Sequence, residues 1–290
     1  MGIVYLNRGD LKAAQRCFET VVERQNTTDR LMTASMTLFL AQINWLTGYP
    51  DQARIHASKA LLAADDSEDV YAWIEMRTQL TYLYQYLGDT ASLSSVNSEL
   101  KELCTTYSDL NRALGAQFMI GWLMALNGKP AAGLAVMQEH NEISERIGNP
   151  VFQPYYLALT AEVQTQTGLL PSVLETLQRA KQKSEQLGDY RWLAEILRLT
   201  GEIQHRLGYE DAVVEASLHD ALETARQQGA KSLELRAAMS LARIWQGQNK
   251  LAQAQMLLAE IYGWFSEGFD TPDLQEASAL LAELAQTSPH

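Results

Sequence analysis

Glycine returns along this chain at an almost fixed interval. Gly48, in WLTGYPDQA, is followed by Gly88, Gly128, Gly168 and Gly208 at steps of forty, and preceded by Gly9 at a step of thirty-nine. A period between about 20 and 50 residues marks stacked repeats, each unit too small to bury its own apolar face. That restricts the chain to a solenoid or a related array before any other feature is weighed.

The segments between the glycines carry a helical period. Ahead of Gly48, Met36, Phe39, Leu40, Ile43 and Leu46 follow one another at three- and four-residue steps. Behind it, Ala53, Ala57, Ala60 and Leu61 form a second stripe. Each unit therefore reads as a helix A, a tight turn, a helix B and a short connection. Residues 26–29 (NTTD), 65–69 (DDSED) and 148–150 (GNP) supply the turn and N-cap chemistry of such connections. A small residue sits seven positions before each turn: Ala41, Thr81, Gly121, Ala161 and Gly201. It predicts close approach of B to A. After Gly208 the register slips by one, and the next turn falls on Asn249, between Ala242 and Ala254.

The small mid-A residue, the turn glycine and the alanine five residues later resemble the tetratricopeptide repeat, lengthened from its usual 34 residues. Leu93, Gly133, Val173 and Val213 depart from that alanine. The resemblance implies an all-α, right-handed superhelical solenoid over residues 1–290, of six to seven units with turns near 9, 48, 88, 128, 168, 208 and 249. Thr271-Pro272 then opens a capping helix over 272–286, with Leu274, Ala277, Leu280, Leu281 and Leu284 on one face. The run from about residue 190 to 284 and the segment TGYPDQARIHASKAL also resemble the C-terminal tail of large bacterial regulators. In that family a signalling ATPase, often behind an adenylate-cyclase-like or winged-helix domain, precedes a tetratricopeptide tail. Half a first helix before Gly9 fits such an origin and predicts further domains ahead of residue 1.

Composition narrows the function. A net charge of −12 disfavours phosphate backbones and anionic membranes as partners. Two cysteines, Cys17 and Cys104, stand in no metal-ligand spacing, and no apolar run reaches the roughly 20 residues of a membrane span. MGIVYLNR is too short and polar for a secretory core, and Leu6 stands where a myristoylation site has Ser or Thr. The expected compartment is the cytoplasm. Gly128-Lys129 lacks the spacing and the Ser/Thr of a phosphate loop. His140 has no partner ligand at metal-site spacing. The expectation is a protein with no catalytic residues, no cofactor and no metal.

In tetratricopeptide stacks the A helices line the concave groove. By that resemblance the groove positions lie thirteen, ten, six and three residues before each turn. They are Ser35, Leu38, Gln42 and Trp45; Glu75, Thr78, Tyr82 and Gln85; Gly115, Phe118, Trp122 and Ala125. The series continues with Tyr155, Ala158, Glu162 and Thr165; Glu195, Arg198, Glu202 and His205; Arg236, Met239, Arg243 and Gln246. The predicted partner-binding set is Gln42, Trp45, Thr78, Tyr82, Gln85, Phe118, Trp122, Tyr155, Glu162, Arg198, Glu202 and Arg243. Trp45, Tyr82 and Trp122 are expected to stand free on the wall as anchors for a protein, a peptide or another domain of a parent chain. The alternative is a metabolite or sugar sensor. A metabolite needs a closed pocket of a few hundred cubic ångströms, whereas a peptide groove stays open along several repeats.

Overall fold

Left-handed backbone at the turns organises the chain into helix pairs. Gly48 has φ 91°, and its N–H donates to the Trp45 carbonyl at 3.1 Å while the Tyr49 N–H reaches back to Asn44 at 2.7 Å. This double cap ends one helix and starts the next across three residues, Thr47 to Tyr49. Asn249, the residue that takes over after the register slip, does the same with φ 60°.

The computed structural model describes residues 1–23, 30–65, 69–149, 152–168 and 170–287. The connection at 26–29, and parts of those at 65–69 and 148–150, lie outside the described residues. Among the described residues the structure is helical with no strand, as the periodicity requires. The pairs are α1 (Gly2–Asn7) with α2 (Leu11–Glu23), α3 (Arg30–Leu46) with α4 (Pro50–Asp65), and α5 (Val70–Leu87) with α6 (Thr90–Thr106). Then come α7 (Leu110–Leu126) with α8 (Pro130–Arg146), and α9 (Gln153–Gln166) with α10 (Leu170–Leu187). The series ends with α11 (Leu193–Arg206) and α12 (Asp211–Gln228), then α13 (Lys231–Gly247) and α14 (Leu251–Tyr262), closed by α15 (Pro272–Thr287).

Small residues seat the helices of a pair against each other. A Cβ added to Gly121 would lie 2.7 Å from the Gly133 carbonyl oxygen, so α7 and α8 touch backbone to backbone. Ala41, Thr81 and Ala161 occupy the equivalent place in their pairs and are buried. At Gly201 an added Cβ would meet Leu218 at 2.8 Å.

The superhelix winds tightly enough to meet itself. In each case the end of an A helix touches the start of the A helix five pairs on. From the first pair to the sixth, the Asn7 carbonyl accepts the Tyr190 N–H at 2.6 Å and its side chain accepts Arg191 at 2.5 Å. From the second to the seventh, the Trp45 carbonyl accepts the Ser232 hydroxyl at 2.5 Å. From the third pair to the capping helix, Gly88 packs on Pro272. A clasp strengthens the middle contact. Glu267 Oε1 accepts the free N–H groups of Asp51 and Gln52 at the start of α4, at 2.9 and 3.0 Å. Asp51 in turn accepts the Gly268 N–H, and Arg54 pairs with Asp270 at 2.9 Å.

Candidate functional site

Closure turns the expected open groove into an interior lined by A helices from opposite sides of the superhelix. Its middle is filled by the protein's own aromatic side chains. Trp45 lies 5.2 Å from Tyr86 and 6.3 Å from Trp192, which itself packs at a tilt against Tyr155 at 5.2 Å. Tyr82 packs on Phe152 at 4.5 Å and shares a hydrogen bond with the Tyr156 hydroxyl at 2.7 Å. The Tyr155 hydroxyl donates to Gln85 at 2.9 Å. Burial pushes the Tyr82 phenol up to about 12.

This corrects the expectation of a free aromatic wall. Trp45, Tyr82 and Trp122 are only 3%, 6% and 5% exposed. Phe118 is wholly buried against His140 and Tyr156. Gln42 is also core: its amide donates to Gln79 at 2.7 Å between α3 and α5. The physical reason is the tight winding, which brings facing A helices within side-chain reach so that large rings meet one another before they meet solvent.

Two hollows border the aromatic cluster. The larger is a cleft of about 370 Å³. It gathers Trp45, Gln85, Trp122, Tyr155, Glu162, Arg198, Glu202 and Arg243 from the predicted set. The smaller, of about 280 Å³, takes Thr78 and Tyr82, with Glu75, Arg112 and His140 around them. Gln42 and Phe118 line neither. Side chains that sequence reasoning left off the predicted set complete the larger cleft. Glu195 and Arg236 stood on the groove register and could have been included. Tyr86, Trp192 and Ser240 lie off it, and Asp273 and Glu276 come from α15, which reaches the cleft only through closure.

One side of the cleft is a network of charges. Arg198 grips Glu195 with two nitrogens, at 2.7 and 2.9 Å, and Glu202 with a third contact at 2.6 Å. Ser240 donates to Glu202 at 2.6 Å. Arg236 donates to Asp273 at 2.8 Å, lies 3.6 Å from Glu195, and carries its guanidinium 5.1 Å above the Trp45 ring. Arg243 pairs with Glu276 at 2.5 Å. Burial acts to raise the Glu195 pKa, but Arg198 and Arg236 outweigh it and hold the carboxyl down at about 2.

The cleft also holds a carboxylate without such support. Glu162 forms no salt bridge among the described residues. Burial, then repulsion from Glu195, push its carboxyl above the ordinary value against the weaker pull of Arg236 and Arg198. The buried indole N–H of Trp122 is turned toward it without closing a hydrogen bond, and that of Trp192 has no partner either. No group of three or more metal-ligating side chains occurs among the described residues, and no described helix is long and apolar enough to cross a membrane.

No family model and no curated protein sequence matches the chain. Solved structures do. A Rap protein complexed with competence and sporulation factor is 12% identical, with a TM-score of 0.59, covering 98% of this chain and 95% of that one. A signal transduction ATPase with numerous domains from Pyrococcus horikoshii, which carries a tetratricopeptide repeat sensor, is 15% identical with a TM-score of 0.50. The match covers 98% of this chain and 43% of that protein, so the chain spans less than half of it. Yeast Tom70 is 16% identical, TM-score 0.51, covering 96% of this chain and 62% of its own. At these identities the likeness establishes the fold. The chain is a tetratricopeptide-type solenoid.

Proposed function

We propose that this chain is a non-catalytic sensor module of a larger signalling protein, and that a small molecule or a short peptide segment enters the interior cleft. The observation that carries the reading is the cleft itself: a few hundred cubic ångströms of space walled by Trp45, Trp122, Tyr155 and Trp192 and floored by charges. Such a space suits a ligand of drug-like size, whereas a long peptide or a folded partner needs a groove open along several repeats. The likeness to a tetratricopeptide sensor on a signal transduction ATPase, and to a Rap protein complexed with competence and sporulation factor, supports a regulatory role over a static scaffold.

The clasp supplies a readout. Helices that close the cleft also join the second pair to the seventh, so a ligand that tightens or loosens the interior changes how the ends meet. The parent's ATPase, on this reading, receives that change through the helices flanking the module.

Hydrogen exchange of the whole chain, with and without candidate peptides and metabolites, tests the reading. Ligand-dependent protection in α9, α11 and α13 supports it. Protection confined to the outer B helices, with the cleft unaffected, would return the protein to the class of surface scaffolds.

A further inference from the structure

The charges in the larger cleft do not balance. Five carboxylates line it, Glu162, Glu195, Glu202, Asp273 and Glu276, against three guanidinium groups, Arg198, Arg236 and Arg243. Every guanidinium is engaged. Arg198 holds Glu195 and Glu202, Arg236 holds Asp273, and Arg243 holds Glu276. An anionic ligand would have to break one of these pairs and leave a half-buried carboxylate alone, which is costly in a low-dielectric interior.

Glu162 is that kind of lone carboxylate already. It lies in the same cleft as Trp122, Tyr155 and Trp45, whose rings present negative faces. The protein shows that this wall accepts a cation, because Arg236 sits 5.1 Å over Trp45. Independently of the acidic groups, the indole N–H of Trp192, on a side chain 3% exposed, has no hydrogen-bond partner beside this space.

We infer that the cleft recognises an organic cation, an ammonium or guanidinium group that pairs with Glu162 and stacks against the aromatic wall. The group belongs either to a free amine or to a basic side chain at the tip of a peptide; both present the same chemistry to Glu162. An acceptor atom on the same ligand would satisfy Trp192. The inference rests on the sensing reading and narrows it to one class of ligand.

Intrinsic tryptophan fluorescence and calorimetry on the whole chain test it with defined probes: spermidine, tetramethylammonium, blocked arginine amide and a blocked Gly-Arg-Gly tripeptide. Citrate and glucose serve as the anionic and neutral counterparts. At least one cation should bind saturably, and Glu162→Gln should weaken it at least tenfold with an unchanged or raised Tm, while Glu162→Asp retains part of the affinity. A preference for the tripeptide over the free amines identifies a peptide source, and the reverse a metabolite. Absence of cation binding, or equal affinity in Glu162→Gln, overturns the inference. If citrate or glucose binds in the cleft instead, the cationic ligand is wrong and the sensing reading stands. If no probe or peptide protects the cleft, both fall.

Discussion

The Arg236 guanidinium lies 5.1 Å above the ring of Trp45, so the seventh helix pair of the solenoid rests on the second. Arg236 also donates to Asp273 and faces Glu195. Arg236→Met keeps most of the stem but leaves those carboxylates less compensated. It should lower unfolding stability by about 2 kcal/mol in urea titrations, below the cost for a fully buried pair because the side chain is partly solvated. Asp273→Asn in the same background should recover part of the loss. A single variant as stable as the parent would mean that the arch bears no weight.

Gly121 and Gly133 set a different limit. Even one methyl at Gly121 reaches the Gly133 carbonyl at 2.7 Å, so Gly121→Ala should cost about 1–3 kcal/mol and Gly121→Leu more. Thermal denaturation followed by circular dichroism measures it. A wild-type Tm for Gly121→Leu would show that α7 and α8 do not cross there.

Trp122 belongs partly to the core. Trp122→Ala should therefore destabilise by about 3 kcal/mol, in the range of other large-to-small core changes. That makes it a poor probe of binding alone. Trp122→Phe, which keeps an aromatic face but loses the N–H together with the five-membered ring, is the better variant; it should lower the Tm less than Trp122→Ala does.

His140 packs between Phe118 and Tyr156, and burial lowers its pKa to about 4. The unfolded chain takes up this proton near pH 6.5, while the folded chain resists it down to about 4. Stability should thus fall as the pH drops through that window and level off below it, by roughly 3 kcal/mol in all. Taking the difference between wild type and His140→Leu from pH 7.5 to 4 removes the carboxylate background. A flat difference would show that His140 takes up its proton equally readily folded and unfolded.

The clasp gives a local prediction. Glu267→Ala frees two N–H groups at the start of α4 and should cost about 1 kcal/mol, as loss of an N-cap does. Hydrogen exchange should speed up in the first turn of α4 and in α15 before anywhere else. Uniform acceleration would place the weak point elsewhere.

The repeat was legible because its signals are local. A left-handed cap needs glycine or asparagine, and a backbone crossing needs a small residue, so both leave marks at fixed positions. A second series at the same interval, Ser108, Gly148, Gly188 and Gly229, ends the B helices with positive φ and was equally available. The burial of Trp45, Tyr82, Trp122 and Phe118 was not legible from those positions. It depends on how far the stack rotates per unit, a quantity summed over five pairs with no single residue to announce it. The groove register still located eight of the cleft's residues, because facing the axis and facing the cleft are the same direction. It misjudged how much room the axis leaves.

Contact at an offset of five pairs also changes what kind of polymer this chain is. An open array of repeats can gain or lose a unit at small cost, since each one answers only to its neighbours. Here, removing one pair would slide Trp45 away from Arg236 and Ser232, Gly88 away from Pro272, and Asn7 away from Arg191, all together. The number of units is thereby held fixed, as the number of staves in a barrel is, and insertions should be accepted in the outer connections but not as whole repeats.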